Sequence, residues 1–268
     1  MIDCTAIILT LNEESNIKDC VMSLLDFCNR VVVIDSFSSD DTVAIAKSLG
    51  CDVYQHKFEN YAKQFNYGLF NTNISTEWVL RIDADERLTD AAKKEIITKL
   101  EKNNAYNGVI IPLEVIFLGK KLKHGGIYPI RRLSLFKRAF GKMEEKNMDE
   151  HIVLSEGKVL TIKSVCEHHD YKSLKNWLHK HIDYAFREAD DAEQIINKEA
   201  AFKDKKRALY YKIPSFIRAK LYFIYRYYLR LGFLDGKAGR YFALMQAYFY
   251  RIAVEAALYE KKLNKKRK

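Results

Sequence analysis

The strongest constraint on this chain is an alternation of short apolar runs with helix-length polar stretches. Thr5–Leu9, Arg30–Asp35, Asp52–His56 and Trp78–Ile82 are the apolar runs. RVVVID at Arg30–Asp35 is β-branched through its middle, as in a strand buried on both faces. Helical signals lie between them. Asn12-Glu13-Glu14-Ser15 opens an amphipathic stretch to about Phe27. Ser38-Ser39-Asp40-Asp41 caps Thr42–Leu49, which Gly50 ends, and Tyr61–Phe70 follows. Thr89–Asn103 then reads as a helix and Gly108–Leu118 as a long strand or hairpin arm. This alternation predicts a parallel sheet covered on both faces, an α/β fold. Ligands bind beyond the carboxyl ends of such strands. Thr10–Glu13, Asp35–Asp40 and Asp83–Glu86 are therefore expected to converge on one cleft.

From Gly119 to Asp170 the pattern is irregular, with β-like runs at Leu133–Phe136 and Val159–Val165. Helices are predicted from Ser173 to about Glu193, from Pro214 to Leu231 and from Gly236 to Lys262. With 268 residues, 48% of them hydrophobic, the chain can bury one large domain or one domain and an appendage. The boundary is expected near residue 172, with a helical, basic region over 173–268.

Several classes are excluded by what the chain lacks. Cys4, Cys20, Cys28, Cys51 and Cys166 form no C-x-x-C pair and are odd in number, which reads as free thiols in a reducing cytosol rather than disulfides or a zinc site. No basic n-region precedes the short apolar run Ala6–Leu11, so a signal peptide is not expected. The longest membrane-span candidate, Tyr241–Tyr259, is interrupted by Arg251 and Glu255. The expected location is cytoplasmic, peripheral on the inner face of the cytoplasmic membrane. The turn after the first strand, TLNEES, has no glycine, and no P-loop is present; neither a dinucleotide nor an ATP-hydrolysis site is read.

The stretch WVLRIDADERL carries the chemistry. An apolar strand runs into Asp83, Asp85, Glu86 and Arg87. Asp83 and Asp85 alternate along the backbone, so they share a face at the strand's exit. Two carboxylates so placed repel unless a cation lies between them, and a hard divalent ion that also takes phosphate oxygens fits. Taken alone, D-x-D reads equally well as a solvated acidic turn before the helix at Thr89.

Four motifs occur together, however: AIILTLNEESNI, VVVIDSFSSDDT, AKQFNYGL and WVLRIDADE. In order and spacing they resemble the family 2 glycosyltransferases of the GT-A fold over about residues 3–170. The similarity is closest to the branch that includes lipopolysaccharide core glycosyltransferases. The resemblance implies a GT-A domain over 1–172, its nucleotide-sugar half at about 1–118 and its acceptor half at about 119–172. It implies that Thr10, Asn12 and Glu13 line the nucleotide pocket, that Asp35 and Ser36 meet the base, and that Gln64 and Asn66 face the nucleotide. Asp83 is matched to the carboxylate near ribose and metal, and Asp85 to the metal ligand, with Mn²⁺ or Mg²⁺ as cofactor. Many members have a second acid where this chain has Ser36, so the base is left open. The family inverts by single displacement and places an acidic residue after the acceptor segment. In KNMDEHIV that is Glu150, with Asp149 the alternative. His169 in CEHHDY is matched to an added metal ligand, against a structural hydrogen-bonding role. Arg132, with Arg131, resembles a short basic segment that grips diphosphate or acceptor phosphate, or forms a structural ion pair. The implied partners are a nucleotide diphosphate-sugar donor and a saccharide or lipid-linked acceptor, in a hexosyltransferase-type reaction of bacterial surface-glycan synthesis.

The charge is lopsided. From Lys203 onward there are 18 Lys and Arg against 4 Asp and Glu, whereas residues 1–202 hold 27 against 31. Pro214–Leu231 interleaves Tyr and Phe with Arg218, Arg226 and Arg230, which predicts an amphipathic helix with an arginine face. That face is expected to meet anionic lipid or solvent while the apolar side packs on a neighbouring helix or enters the membrane interface. The alternative is a basic nucleic-acid- or membrane-binding protein on an inactive GT-A scaffold, although no nucleic-acid partner is expected. A haloacid-dehalogenase-type phosphotransferase, which also uses D-x-D, is rejected because its aspartates follow the first strand.

Overall fold

The computed structural model describes residues 1–103, 105–145, 150–169, 173–197 and 213–267. In chain order it runs β1 (Ile2–Thr10), α1 (Ile17–Met22), β2 (Cys28–Asp35), α2 (Thr42–Ser48), β3 (Asp52–Gln55), α3 (Tyr61–Asn71), β4 (Trp78–Asp83), β5 (Glu86–Leu88), α4 (Asp90–Lys102) and β6 (Tyr106–Phe117). There follow β7 (Lys120–Lys121), β8 (Ile130–Lys137), β9 (Gly141–Met143), β10 (Ile152–Leu154), β11 (Lys158–Thr161), β12 (Cys166–His169) and α5 (Leu174–Asn197). The last helices are α6 (Ser215–Ile224), extended by a π turn over Tyr225–Leu229, then α7 (Gly236–Phe242) and α8 (Tyr250–Arg267), joined by a π stretch over Ala243–Phe249.

The main sheet has the order β3-β2-β1-β4-β8-β6-β12-β5. Strands β3, β2, β1 and β4 are parallel, as the alternation predicts. The rest of the sheet is mixed. β8 runs antiparallel to both β4 and β6, and β12 is parallel to β6 but antiparallel to β5. This is the GT-A arrangement.

Burial on both faces follows from side-chain alternation. Ile8, Val31, Val33, Leu80 and Ile82 point into one layer with Leu24, Phe27 and Ile96. Their neighbours Ile7, Val32, Ile34 and Val79 point into the other with Phe65, Leu69 and Phe136. Two helix starts, those of α3 and α4, are fixed by side-chain caps: Asn60 accepts from the Lys63 N–H and Thr89 from the Ala92 N–H. All five cysteines are buried and free.

The chain divides into two compact units, one of residues 1–116 and 129–171, the other of residues 117–128 and 172–268. Residues 117–128, read from the sequence as part of the acceptor half, thus group with the helices. Within the second unit, Phe117 packs against Trp177 and Phe242 at centroid distances of 5.3 and 5.1 Å. His124 Nδ1 lies 2.7 Å from Asp235. Gly232 is required by close packing: a Cβ there would lie 2.8 Å from the Arg226 carbonyl oxygen and 3.4 Å from Gly125 Cα. Among the described residues no helix is long and apolar enough to cross a membrane.

The expected arginine face is corrected. Arg218 and Arg226 are buried, 5% and 7% exposed. Arg226 donates from Nε to the Gly125 carbonyl and from Nη1 to Gln246 at 2.7 Å and the Tyr222 hydroxyl at 3.1 Å; Arg218 pairs with Glu255. Each buried guanidinium finds an acceptor from another segment, Glu255 for Arg218 and Gly125 and Gln246 for Arg226, which outweighs solvation of the helix's basic side.

Candidate active site

Three parallel strands end side by side. Thr10 of β1 is in register with Asp35 of β2, and Leu9 of β1 with Asp83 of β4. The loops beyond β1 and β2 are laced together by short polar side chains. Asp35, fully buried, accepts from Thr10 Oγ1 at 2.9 Å, from the Ser38 N–H at 2.9 Å and from Ser38 Oγ. Asn12 donates its N–H to Ser38 Oγ at 2.8 Å and accepts from the Ser39 N–H at 2.9 Å. The Glu13 N–H donates to Thr42 Oγ1 at 2.7 Å, and its carboxylate accepts from Asn16 Nδ2 at 2.8 Å. Ser, Thr, Asn and Asp dominate here because their side chains bond nearby backbone groups that no strand or helix satisfies. Two non-glycine residues at this rim, Asn12 (φ 55°) and Phe37 (φ 62°), hold left-handed backbone, and Phe37 is exposed.

Gln64, buried on α3, donates to Ser36 Oγ and to the His56 carbonyl, both at 3.0 Å, and meets His56 Nδ1 at 2.7 Å. It joins Ser36 to the third strand's exit. Asn66 faces elsewhere. Its Nδ2 donates to the Met143 carbonyl at 2.9 Å and its Oδ1 accepts from the Met143 N–H at 3.1 Å, tying α3 to β9.

At the end of β4 the question of what separates the acids has a protein answer. Arg132, on β8, donates from Nη1 to Asp83 Oδ2 at 3.0 Å and from Nη2 to Glu86 Oε2 at 2.5 Å. The Tyr61 hydroxyl donates to Asp83 Oδ1, and the Arg81 guanidinium lies 4.7 Å over the Tyr61 ring. Arg132 is thus an ion-pair partner of the acidic motif, one of the two roles open from sequence. Burial pushes the Asp83 carboxyl up, but the Arg132 and Arg81 guanidiniums outweigh it, and the group is held far below the usual carboxylate range. Glu86 ends on the other side: burial dominates and raises its carboxyl despite Arg132. Burial and the Asp83 carboxylate both keep Tyr61 a phenol, able to donate.

Asp85 turns towards β12. Its carboxylate lies 3.4 Å from His168 Nδ1, and its carbonyl accepts from the His169 N–H at 2.6 Å. The histidine beside the acidic motif is therefore His168, whereas the His169 ring is turned to Glu167, 2.8 Å away. Side-chain alternation along β12 sends adjacent residues to opposite faces, which is why only one of the pair reaches Asp85. Glu150 is half-buried, and its carbonyl oxygen lies 3.5 Å from Arg81 Nη1. The Asn66–Met143 clamp holds β9, which pairs with β10, and Glu150 lies two residues before β10. Asp149 lies outside the described residues.

Among the described residues no group of three or more His, Cys, Asp and Glu could by itself hold a metal ion. The donor set at Asp85 and His168 suits a cation that takes its remaining ligands from phosphate oxygens.

The model of the glycosyl transferase family 2 matches residues 5–151, more than half of the chain. This chain is a family 2 glycosyltransferase. Similar proteins include the lipopolysaccharide core biosynthesis glycosyltransferase LpsC of Rhizobium meliloti, 26% identical over 91% of this chain and 90% of that protein. An uncharacterized glycosyltransferase of Rickettsia typhi is 26% identical over 85% of this chain and 80% of its own length. Among solved structures, the mannosyltransferase PcManGT of Pyrobaculum calidifontis, in complex with GDP-Man and Mn²⁺, aligns over 97% of this chain and 88% of that one. Its TM-score is 0.50 at 16% identity, which supports the fold.

Tyr61, Arg81 and His168 also lie beside the acidic motif and are not singled out by the sequence, whereas Glu86 falls in the stretch expected at the cleft. Arg81 did leave a signal: a charge inside the apolar strand WVLRID must find a partner or face a cleft.

Proposed function

We propose that this glycosyltransferase moves a sugar from a nucleotide diphosphate-sugar to a saccharide acceptor, with inversion and with Mn²⁺ or Mg²⁺. The acceptor is lipid-linked and met at the inner face of the cytoplasmic membrane, in bacterial surface-glycan assembly of the lipopolysaccharide type. One observation carries the reading: Thr10, Asp35 and Asp83 end three adjacent parallel strands, and Asp85 and Glu86 follow at the same exit. The similarity to LpsC supports the acceptor class.

In this reading the loops after β1 and β2 cradle the nucleoside, with Phe37 exposed to stack on the base. Asp85, beside His168, holds the cation. The ion, when bound, supplies Lewis-acid neutralisation of the departing diphosphate. Arg132 keeps Asp83 ionised and in place. The acceptor hydroxyl attacks the anomeric carbon from the face opposite the diphosphate, the new C–O bond forming as the sugar–phosphate bond breaks. The hydroxyl proton passes to the base, for which Glu150 is the candidate and Asp149 the alternative. Arg81, in contact with the Glu150 backbone, positions that segment.

Asp85→Asn tests the assignment. Isothermal titration calorimetry with nucleoside diphosphates should show Mn²⁺-dependent binding to the native protein and its loss in the variant, with thermal unfolding unchanged. Equal metal-dependent binding by both proteins would remove Asp85 from the role.

A further inference from the structure

The inversion of the arginine helix has a counterpart on its outer side. With Arg218 and Arg226 turned inward, the π turn after α6 and the segment that follows expose large apolar residues: Leu229 is 71% exposed, Tyr228 55% and Leu234 51%, with Leu231 and Phe233 also exposed. Ring contacts join part of this surface. Tyr227 lies 5.0 Å from Tyr228 and 6.2 Å from Phe233 between ring centroids, and Phe223 lies 6.4 Å from Tyr248 on the π stretch before α8. A water-facing patch of this kind marks an interaction surface.

The charges around it select the partner. Residues 213–267 hold twelve Lys and Arg and three acids. Two of those acids are turned inward, Asp235 to His124 and Glu255 to Arg218, while Arg230, Lys237 and Arg240 are exposed among the apolar residues. Tyrosine and phenylalanine interleaved with cations suit the headgroup boundary of a bilayer, where rings enter the acyl edge and cations meet anionic lipid. A second copy of the chain would instead bring two positive faces together.

We propose that this face, centred on Tyr228, Leu229 and Phe233, docks in the plane of an anionic lipid bilayer. It depends on the lipid-linked acceptor for its purpose but not for its geometry, so vesicles free of saccharide test it apart from the chemistry at Asp85. The full chain is sedimented with vesicles of phosphatidylcholine alone and with about one third phosphatidylglycerol, at about 0.1 and about 0.5 M salt. The native protein and Asp85→Asn should sediment with the anionic vesicles, less so at high salt. The double variant Leu229→Glu/Phe233→Ser, whose sites are exposed, should bind about tenfold or more weakly with an unchanged melting temperature. Retention of native binding by that variant would overturn the proposal. So would a fall in its solution mass from dimer to monomer with vesicle binding unaltered, which would make the face an interface between copies.

Discussion

Replacing Arg132 with Met removes the one guanidinium shared by two carboxylates. It breaks the bond to Asp83 at 3.0 Å, the bond to Glu86 at 2.5 Å, and a weaker one to Ser134 at 3.2 Å. The Glu86 side chain is only 1% exposed and that of Asp83 is 28% exposed, so most of the loss falls on Glu86. Stranding a buried charge costs about 3–5 kcal/mol, and the partly solvated Asp83 pair about 1 kcal/mol. The expected loss is about 4 kcal/mol, near 10 °C in melting temperature for a chain of this size. In a Glu86→Gln background the same substitution should cost about 1–2 kcal/mol, giving a coupling energy of about 2 kcal/mol. The pH dependence is signed. With the folded-state carboxyl of Glu86 raised, the native protein binds more protons than the unfolded one, and stability falls as pH rises through that window. Arg132→Met raises it further, so its deficit should shrink on acidification toward the ordinary carboxylate range, and Glu86→Gln should abolish that recovery. Urea unfolding of the four proteins measures all of this. A loss under about 1 kcal/mol, or no coupling, would refute the shared-guanidinium account.

Glu95 accepts from the backbone N–H groups of Lys163 and Ser164 at 3.1 and 2.8 Å. Burial raises its carboxyl, but the Ser164 bonds and Lys99 lower it to about 2, so its contribution is present above the ordinary carboxylate range and lost as pH falls toward about 2. Glu95→Gln should cost about 1–2 kcal/mol at pH 7 and converge with the native protein in acid, read by thermal unfolding at each pH. Asn66→Ala should destabilise by about 2 kcal/mol by freeing Met143, with nucleoside diphosphate affinity changed little by calorimetry. A large affinity loss with native stability would return Asn66 to the nucleotide pocket.

The parallel half of the sheet is legible because its strands are buried on both faces and leave unbroken apolar runs. Arg30–Asp35 and Trp78–Ile82 lie within β2 and β4. β5 and β12 are not legible. Each is three or four residues long, and they acquire strand character only through tertiary pairing: Glu86–Leu88 with Cys166–His168, and Cys166–His169 also with Leu113–Ile116 of β6. The loop residues at Thr10, Asn12 and Asp35 are legible because they follow strands whose apolar runs can be read, although the bonds joining Thr10 to Asp35 and Asn12 to Ser38 and Ser39 span 25 to 27 positions. The partners of Asp83 are not, because nothing in the sequence around Tyr61 or Arg132 marks the packing that brings them to it. The helix at Ser215–Ile224 is legible as amphipathic, but its inward face is not: satisfying Arg226 requires Gly125 and Gln246, which only the tertiary structure brings near.

The excursion at residues 117–128 gives the helical unit two separate origins in the chain, one between β6 and β8 and one after β12. A protease cut or stop codon near position 172 would thus yield no trimmed transferase. It would strip Phe117 of Trp177 and Phe242, leave His124 without Asp235, and remove Arg226 from the Gly125 carbonyl. Transplanting the helices onto another scaffold would fail for the same reason unless both lengths travelled together.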